Sequence, residues 1–422
     1  MGAGGSSLMA KPGIRGVRGL AAAALILAVL AAMLTVLPGM RGAAPLQSPA
    51  PEAEASPLES YTGFSLRFSL LAGLGERNTA VSPFSVYPAM LMLSEGSAGE
   101  TKAEILRALG LSSQAEAREW FRSSSRKFLS AEAPAKASIA NSLWVREGVP
   151  VRGSYAEALA RYYLAEHYSF ASPGEAVQRI NSWVSEKTGK LIDRIVDFLD
   201  PLTVVVLVNT VYFKANWTTP FESVVRDVFN SPDGPVQADY LSGVVPAKVY
   251  ESEDLVAVAL GYTGTGVKFV ALMPREQALR EFVSGLSERE LLGIFSELLS
   301  RDDERVRLLL PRFDVDSGIL ELSQLLRSMG VRKVFDPEQA DLSGMFDYSK
   351  LPGRPYVSEV FHRARVRVDL YGTEAAAATA VVVRVTAVPQ PARVVKIDKP
   401  FAFLLVDPDT KAVLFAGSIV KP

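Results

Sequence analysis

The pattern of apolar and polar residues predicts alternating helices and strands from about Leu58 to the end of the chain. A capped apolar helix is predicted after Ser82-Pro83, and a second helix follows it. Thr203–Phe213 is too β-branched and too apolar for a surface helix, so it is predicted to be a central strand buried on both faces. Asn209 lies within this strand, and a buried polar group needs partners. We therefore expect Asn209 to belong to an interior hydrogen-bond network.

A second predicted strand, Val357–Leu370, alternates strictly between apolar and polar positions. Its inward face contains Val360, His362, Ala364, Val366 and Val368. A catalytic His362 would need a serine and an acid around it, and the sequence contains no G-x-S-x-G elbow, P-loop, dinucleotide motif or paired-carboxylate motif. We therefore interpret His362 as a core histidine and do not expect an enzyme; a hydrolase that uses His362 is the rival interpretation.

The segment after this strand combines conflicting local preferences. It begins at Gly372 and reads GTEAAAATAVVVRVTAVP, which is helix-forming in its first half and strand-forming in its second. Pro389 and Pro391 end either structure. The side chains of residues 373–380 are too small to anchor the segment in a core. A segment with competing preferences can adopt more than one state.

Composition excludes several kinds of chemistry. The chain has 422 residues, with 45 basic and 46 acidic side chains, which argues against nucleic acid as a partner. Cysteine is absent, and His167 and His362 are the only histidines, so no disulfide, metal site or cofactor is expected. The lack of cysteine and the scarcity of Asn and Gln suggest a thermostable protein.

The amino-terminal region has the pattern of a targeting sequence. Four segments are predicted: a basic flank, a hydrophobic signal peptide or signal anchor, an Ala/Pro/Glu-rich linker and a folded domain, at residues 1–18, 19–38, 39–57 and 58–422. The run Gly19–Leu37 carries no charge, and Lys11, Arg15 and Arg18 precede it. The folded domain is therefore expected to be extracellular, either secreted or tethered to the membrane.

Motifs along the whole folded domain resemble those of the serpins and occur in the family's order. They lie at residues 78–85 (NTAVSPFS), 180–192 (INSWVSEKTGKLI), 207–221 (LVNTVYFKANWTTPF), 310–313 (LPRF), 340–345 (ADLSGM) and 400–401 (PF). The resemblance implies an α+β fold with about nine helices and three β-sheets. It also implies a mobile reactive-centre loop, at about residues 372–391, which inserts into the central sheet A.

The resemblance also assigns two clusters beside sheet A. Ser82, Ser85, Asn209 and His362 match the family's shutter, and Trp217, Arg312 and Leu370 match the breach, where the loop begins to insert. Serpins usually carry a glutamate at the position of Leu370, which pairs with a base at the position of Arg312. The breach ion pair is therefore expected to be missing here.

Serpins inhibit serine proteases by covalent suicide trapping, and the loop sequence fits that mechanism. The hinge is expected at Gly372, Thr373, Glu374, Ala375, Ala376, Ala377, Ala378 and Thr379. Its alternate positions from Thr373 are small or β-branched, as insertion into a core requires. Spacing from Gly372 predicts cleavage between Thr386 and Ala387, which suits elastase- or subtilisin-like enzymes. The inhibitor is expected to be a monomer.

Two other interpretations remain open from the sequence. A non-inhibitory serpin could act as a chaperone, carrier or storage protein, although such proteins tend to carry bulky, charged or proline residues in the hinge. Arg118, Arg122 and Arg126 form a stripe on a predicted helix, where some serpins bind polyanions. A solvated helix face is the simpler interpretation of that stripe.

Overall fold

Five helices begin at a serine cap in the computed structural model, which describes residues 55–351, 353–373 and 392–422. Ser56 forms a capping box with Glu59, and Ser82 accepts a hydrogen bond from the Ser85 N–H. The described residues form nine α-helices: α1 Pro57–Leu71, α2 Pro83–Gly96, α3 Gly99–Leu109, α4 Gln114–Phe128, α5 Gly153–Tyr163, α6 Pro173–Lys187, α7 Leu279–Gly285, α8 Glu288–Ser300 and α9 Ser323–Ser328. The number of helices agrees with the expectation of about nine.

Strands make up most of the remaining regular structure. They are β1 Thr79–Val81, β2 Lys136–Arg146, β3 Ala165–Phe170, β4 Val205–Asn216, β5 Ser223–Ser231, β6 Gly234–Glu251, β7 Leu255–Gly261, β8 Lys268–Pro274, β9 Glu304–Pro311, β10 Phe313–Asp316, β11 Leu320–Glu321, β12 Glu359–His362, β13 Arg365–Asp369, β14 Gly372–Thr373, β15 Val394–Lys396, β16 Phe401–Val406 and β17 Val413–Ile419. The strand predicted at Thr203–Phe213 is therefore β4.

The strands form a central sheet and a second sheet. The central sheet has eight strands, in the order β10-β13-β14-β4-β12-β11, with β2 on the other side of β4 and β3 beyond β2. The second sheet runs β1-β17-β16-β8-β7-β6-β9-β15, and β5 pairs with β6. The three expected sheets are thus present as two, because the long strand β6 pairs with β5 and β9 along most of its length and with β7 at its end.

Apolar layers cover both faces of the central sheet. The larger layer includes α2, and Val360 and Val366 face it. The smaller layer lies under α6, and Phe361 of β12 faces it. Successive residues of β12 therefore point to opposite layers, which confirms the inward face predicted for this region from alternation.

The amino-terminal segments predicted at residues 1–18 and 19–38, and nearly all of the linker, lie outside the described residues. Within the residues that are described, no helix is long and apolar enough to cross a membrane.

Candidate functional site

The candidate site is the boundary in the central sheet between β4 on one side and β12–β13 on the other, which we call the seam. At one end, β12 pairs with β4 in parallel, from Glu359 opposite Val206 to Phe361 opposite Val208. At the other end, the short strand β14 lies between β4 and β13 and pairs with both. The seam is therefore closed at one end and already one strand wider at the other.

Gly372 begins β14 and fits only because it lacks a side chain. Its φ is +155°, and a Cβ at this position would collide with the Ala215 carbonyl oxygen of β4. Gly372 pairs with Asn216, and Thr373 pairs with Ala215. The glycine thus permits the close backbone approach that starts a new strand inside the sheet.

Thr373 is buried at the open end of the seam. Its side chain is on the core side, and its hydroxyl lies 2.5 Å from that of Tyr262. Burial raises the pKa of Tyr262, so its hydroxyl stays protonated and can donate. Tyr262 follows β7 and belongs to no motif, so this contact could not be predicted from the sequence. The other predicted hinge residues, from Glu374 to Thr379, lie outside the described residues, as do Thr386 and Ala387.

Trp217 lies at the end of β4 beside β14, in the region that the resemblance assigns to the breach. Its ring stacks on Tyr262 with centroids 4.6 Å apart and an interplanar angle of 13°. Its indole N–H donates to the Asp369 carbonyl oxygen at 2.9 Å, and its backbone N–H donates to that of Tyr371. Trp217 therefore ties the end of β4 to the segment that leads into β14.

The expectation of a missing ion pair at the breach is wrong. Arg312 pairs with Asp369 at 2.9 Å, and Arg367 lies 3.4 Å from the same carboxylate. Although partial burial opposes the shift, the Leu370 N–H and the Arg312 guanidinium lower the pKa of Asp369. Leu370 itself packs against the core. The partner of Arg312 is therefore the acid one position before Leu370.

The four predicted shutter residues come together as two hydrogen-bonded pairs at the start of α2. The Ser82 N–H donates to Nε2 of His362 at 3.1 Å, and the Ser85 hydroxyl donates to Oδ1 of Asn209. Asn209 lies on β4 and His362 on β12, so the amino terminus of α2 holds both sides of the seam. The prediction that Asn209 belongs to an interior network is confirmed.

This network extends further than the resemblance implies. The Asn209 amide donates to Oδ1 of Asn141 on β2, and the Asn141 amide donates to the Tyr163 carbonyl oxygen at 2.5 Å. Asn141 is fully buried. The role of Asn141 could have been predicted from the sequence, because Asn141, like Asn209, has an amide side chain inside an apolar strand pattern.

His362 is a neutral core histidine. Burial lowers its pKa to about 3, since the charged ring would lose its hydration. Because Nε2 accepts from Ser82, the ring proton is on Nδ1, which has no hydrogen-bond partner among the described residues. This environment agrees with the interpretation of His362 as a core residue, since within the described residues no carboxylate accepts a hydrogen bond from Nδ1, as a triad would need.

The arginine stripe predicted on α4 is partly engaged in structural contacts. Arg118 pairs with Glu95 at 3.1 Å, and its guanidinium carbon lies 4.2 Å from the ring centroid of Tyr162. Arg122 pairs with Glu119 on the same helix, and Arg126 is exposed. A group of three or more His, Asp or Glu side chains that could hold a metal ion is not found within the described residues.

Comparisons with known proteins agree with this geometry. The family model described as "Serpin (serine protease inhibitor)" matches residues 60–422. An uncharacterized serpin-like protein of Thermococcus kodakarensis is 32% identical over 370 residues, covering 85% of this chain and 84% of its own length. The plasma serine protease inhibitor of Bos taurus is 30% identical, covering 85% of this chain and 89% of its own length. The crystal structure of a thermophilic serpin, tengpin, in the native state superposes with a TM-score of 0.76 at 29% identity, covering 86% of this chain and 94% of that one.

The central mixed sheet, with the short strand β14 between β4 and β13, is the α+β architecture of the serpin class. This chain belongs to the serpin family.

Proposed function

We propose that this serpin inhibits serine endopeptidases by covalent trapping, with insertion of its loop into the seam. The observation that carries the proposal is the position of β14. Gly372 and Thr373 already pair with β4 on one side and β13 on the other, so the first two residues of an additional strand are in register. The residues that follow have small side chains at alternate positions and can continue that strand.

The register of β14 predicts where each loop residue would arrive. Continuing antiparallel from Thr373 opposite Ala215 brings Thr379 opposite Asn209 and Val383 opposite Val205, the first residue of β4. Continuing from Thr373 opposite Val368 brings the same Thr379 opposite His362. A full-length insertion would therefore separate the two shutter pairs, and it would carry the cleaved bond roughly 40 Å along the sheet at ~3.3 Å per residue.

The chemical step follows from the serine protease cycle. The enzyme's serine attacks the Thr386 carbonyl carbon, the bond to Ala387 breaks, and the amine of Ala387 takes the proton from the enzyme's histidine. The protease is left as an ester of Thr386. Insertion then competes with hydrolysis of that ester. The small, β-branched Thr386 favours enzymes with a shallow apolar primary pocket, of the elastase or subtilisin type.

The test is covalent trapping by a panel of serine proteases. Elastase- and subtilisin-type enzymes should give complexes that survive denaturing electrophoresis, and mass spectrometry should find the cut after Thr386. The same enzymes with their serine blocked are the control. Cleavage without complex formation by every enzyme would contradict the proposal and support the non-inhibitory alternative. If complexes form only with trypsin-type enzymes, by cleavage after Arg384, the predicted cleavage position after Thr386 is wrong.

Polyanion binding through α4 is expected to be weak. Arg118 already pairs with Glu95 and Arg122 with Glu119, so a polyanion would have to compete with both ion pairs. Binding to heparin resin that persists above physiological salt would contradict this expectation, because contacts with so few charges are strongly screened there.

We propose that the protein is exported from the cytoplasm, because the uncharged run Gly19–Leu37 follows a basic flank. Expressed with its own amino terminus, the chain should appear in the membrane fraction or outside the cell. Recovery of the intact chain from the cytosol would contradict this.

A further inference from the structure

An open cleft of about 470 Å³ lies beside the breach, on the outer face of β13. Three arginines from three different elements line it: Arg226 of β5, Arg312 between β9 and β10, and Arg367 of β13. Two aspartates, Asp239 and Asp314, line it as well. A cleft with three guanidinium groups is suited to an anionic ligand, provided that neighbouring acids do not already neutralise these groups.

Arg367 is the third arginine of a regular series, and the first two each have an aspartate of β10 to themselves. Arg363 forms a two-pronged pair with Asp316, and Arg365 forms one with Asp314. Asp314 lies opposite Arg367 in the β10–β13 ladder, so each aspartate pairs with the arginine before the one that it faces. This offset leaves Arg367, the last of the series, without a carboxylate of its own.

Arg312 and Arg367 share a single carboxylate. By the offset described above, residue 312 would be the partner of Arg367, but it is an arginine too. Nη2 of Arg312 donates to Oδ2 of Asp369 at 2.9 Å, and Nη2 of Arg367 lies 3.4 Å from the same oxygen. Neither guanidinium has another hydrogen bond within the described residues. Because an arginine side chain carries five N–H donors, most of these donors are available to a ligand.

The third arginine of the cleft is only weakly held. The side chain of Arg226 is 77% exposed, and its Nε lies 3.6 Å from the Asp239 carboxylate, which is too long for a hydrogen bond. The Arg312 N–H donates to the Asp239 carbonyl oxygen at 2.8 Å, so the backbone joins this part of β6 to the other arginines. Pro422 also lines the cleft, and no ion pair joins it to the three arginines in the part of the chain that the structure describes.

We propose that this cleft binds a small, multiply charged oxyanion with two linked phosphate groups. A phosphate accepts paired N–H···O hydrogen bonds from the planar fork of an arginine. Placed between Arg312 and Arg367, it supplies the negative charge that the series of Arg–Asp pairs lacks there. Arg226 then contacts the second phosphate. The site goes beyond the proposed inhibitory function, because binding requires neither a protease nor insertion of the loop.

The test is calorimetric titration of the intact protein with inorganic pyrophosphate, at low salt and without divalent cations. One pyrophosphate should bind per chain, and orthophosphate should bind about tenfold more weakly, because it has no second phosphate for Arg226. Adenosine diphosphate is the second arm. Tighter binding of the nucleotide than of pyrophosphate supports an organic diphosphate as the ligand, and tighter binding of pyrophosphate supports the inorganic anion.

Two variants should weaken the binding of pyrophosphate. Arg367→Gln removes a charge-assisted, forked contact and should raise the dissociation constant about tenfold. Arg226→Gln should raise it about fivefold, because its side chain is more exposed and its contact is better screened. Arg226 lies on a strand that pairs only with β6 among the described strands, and its own contacts are weak, so its replacement should leave the fold intact.

A third variant should strengthen the binding. Asp369→Asn removes the one carboxylate that competes with the ligand for Arg312 and Arg367, and the asparagine oxygen can still accept the Leu370 N–H. The dissociation constant for pyrophosphate should fall about threefold to tenfold. A merely structural role of these residues would not produce a gain in affinity.

Arg305→Gln is the matched control for net charge. Arg305 is exposed on β9 and lies seven residues before Arg312, roughly 20 Å away at ~3.3 Å per residue. That distance exceeds the Debye length at physiological salt, so this charge contributes little to the cleft. Arg305→Gln should bind pyrophosphate like the parent.

A parent that binds no pyrophosphate at low salt would overturn the site. Equal affinities of the parent, Arg367→Gln and Arg226→Gln would overturn it too, even if the thermal midpoints of the variants differed. A loss in Arg305→Gln as large as that in Arg367→Gln would overturn it as well, because it would indicate unspecific attraction by net charge. Trapping of proteases is measured separately, so the failure of the site and the failure of the inhibitory function can be told apart.

Discussion

His362 illustrates how one residue links the seam to the stability of the fold. Its Nε2 can accept the Ser82 N–H only while the ring is neutral, and the surrounding core keeps it neutral far below the usual pKa of a histidine. Protonation would place a charge in a fully buried site and remove the acceptor at the same time. Acid should therefore loosen the contact that joins β12 to α2.

The pH dependence of stability should follow from this shift. Between pH 6.5 and about 3, the unfolded chain binds a proton at His362 that the folded chain does not. The stability contribution is therefore complete above pH 6.5 and falls as the pH drops toward 3, by up to ~1.4 kcal/mol per pH unit. His362→Gln should flatten the fall in thermal midpoint between pH 6.5 and 4.

The exposed His167 on β3 supplies the control. Partial burial lowers the pKa of His167 as well, but its side chain remains exposed, so His167→Gln should change the slope of the midpoint against pH much less than His362→Gln does. An unchanged slope in His362→Gln would mean that other groups dominate acid sensitivity in this range.

Individual site residues were predictable where burial imposes a visible pattern. Asn209 and His362 stand out as polar residues at inward positions of apolar strands. Asp369 and Tyr262 do not, because their roles depend on where separate strands meet: Asp369 receives Arg312 from beyond β9, and Tyr262 reaches Thr373 from the end of β7. The spacing of residues along the sequence does not show which residues of separate strands will be in contact.

At the scale of secondary-structure elements, the short strand β14 determines which residues of the loop would face the core. Thr373 faces the core, at 1% exposure, beside Tyr262. Positions two, four and six residues further along would face the same way in a continued strand, and the residues between them would face outward.

Thr373→Arg should therefore convert the inhibitor into a substrate. The guanidinium would have to enter the core unpaired, which costs several kcal/mol, and each ~1.4 kcal/mol slows insertion about tenfold. We expect this variant to fold with its hinge outside the sheet, to be cut after Thr386, and to release the protease by hydrolysis.

Glu374→Arg is the matched variant, because it carries the same charge one position along, on the outward set. It should trap the protease almost as well as the parent. The two are compared by stoichiometry of inhibition and by complex on a denaturing gel. Equal trapping by both would contradict the alternation and the insertion mechanism together.

Elements with a regular period were predictable, and the segment between α6 and β4 was not. The motif at residues 180–192 begins inside α6, which ends at Lys187, just before Gly189, which has a φ of +59°. Residues 188–204 then follow no helical or strand period. Their burial depends on the sheet beneath them, so only the folded structure reveals that Ile195 and Val196 are fully buried.

At the scale of the whole molecule, charge pairs fasten one half of the central sheet into a unit. Arg363 and Arg365 each form a two-pronged pair with an aspartate of β10, Asp316 and Asp314. Bidentate pairs of this kind fix the register of β13 against β10 as well as neutralising the paired charges. The sheet is therefore expected to open at the seam, where β4 and β12 share only three residue pairs, and not between β13 and β10.

Opening at the seam predicts a large difference in stability between the intact and the cleaved chain. In the intact chain, β4 and β13 are joined through only two residues of β14. After cleavage, up to twelve residues, from Gly372 to Val383, can pair along β4, and Val381 and Val383 would bury apolar side chains that each contribute ~1.5–3 kcal/mol. An added strand also forms backbone hydrogen bonds along both of its edges. These bonds outweigh the entropy cost of ordering its small side chains, which lose little rotamer freedom.

Cleavage of the loop by a metalloprotease, which forms no acyl ester, should therefore raise the thermal midpoint by roughly 10 °C or more, as several kcal/mol of added stability requires in a chain of this size. The intact chain should itself unfold at a high temperature, in keeping with its lack of cysteine and few amides. Thr373→Arg, cut in the same way, is the control, because its hinge cannot enter and its midpoint should rise much less. Cleaved parent and cleaved variant with the same midpoint as the intact chain would show that the sheet stays closed, and that this serpin does not gain stability by inserting its loop.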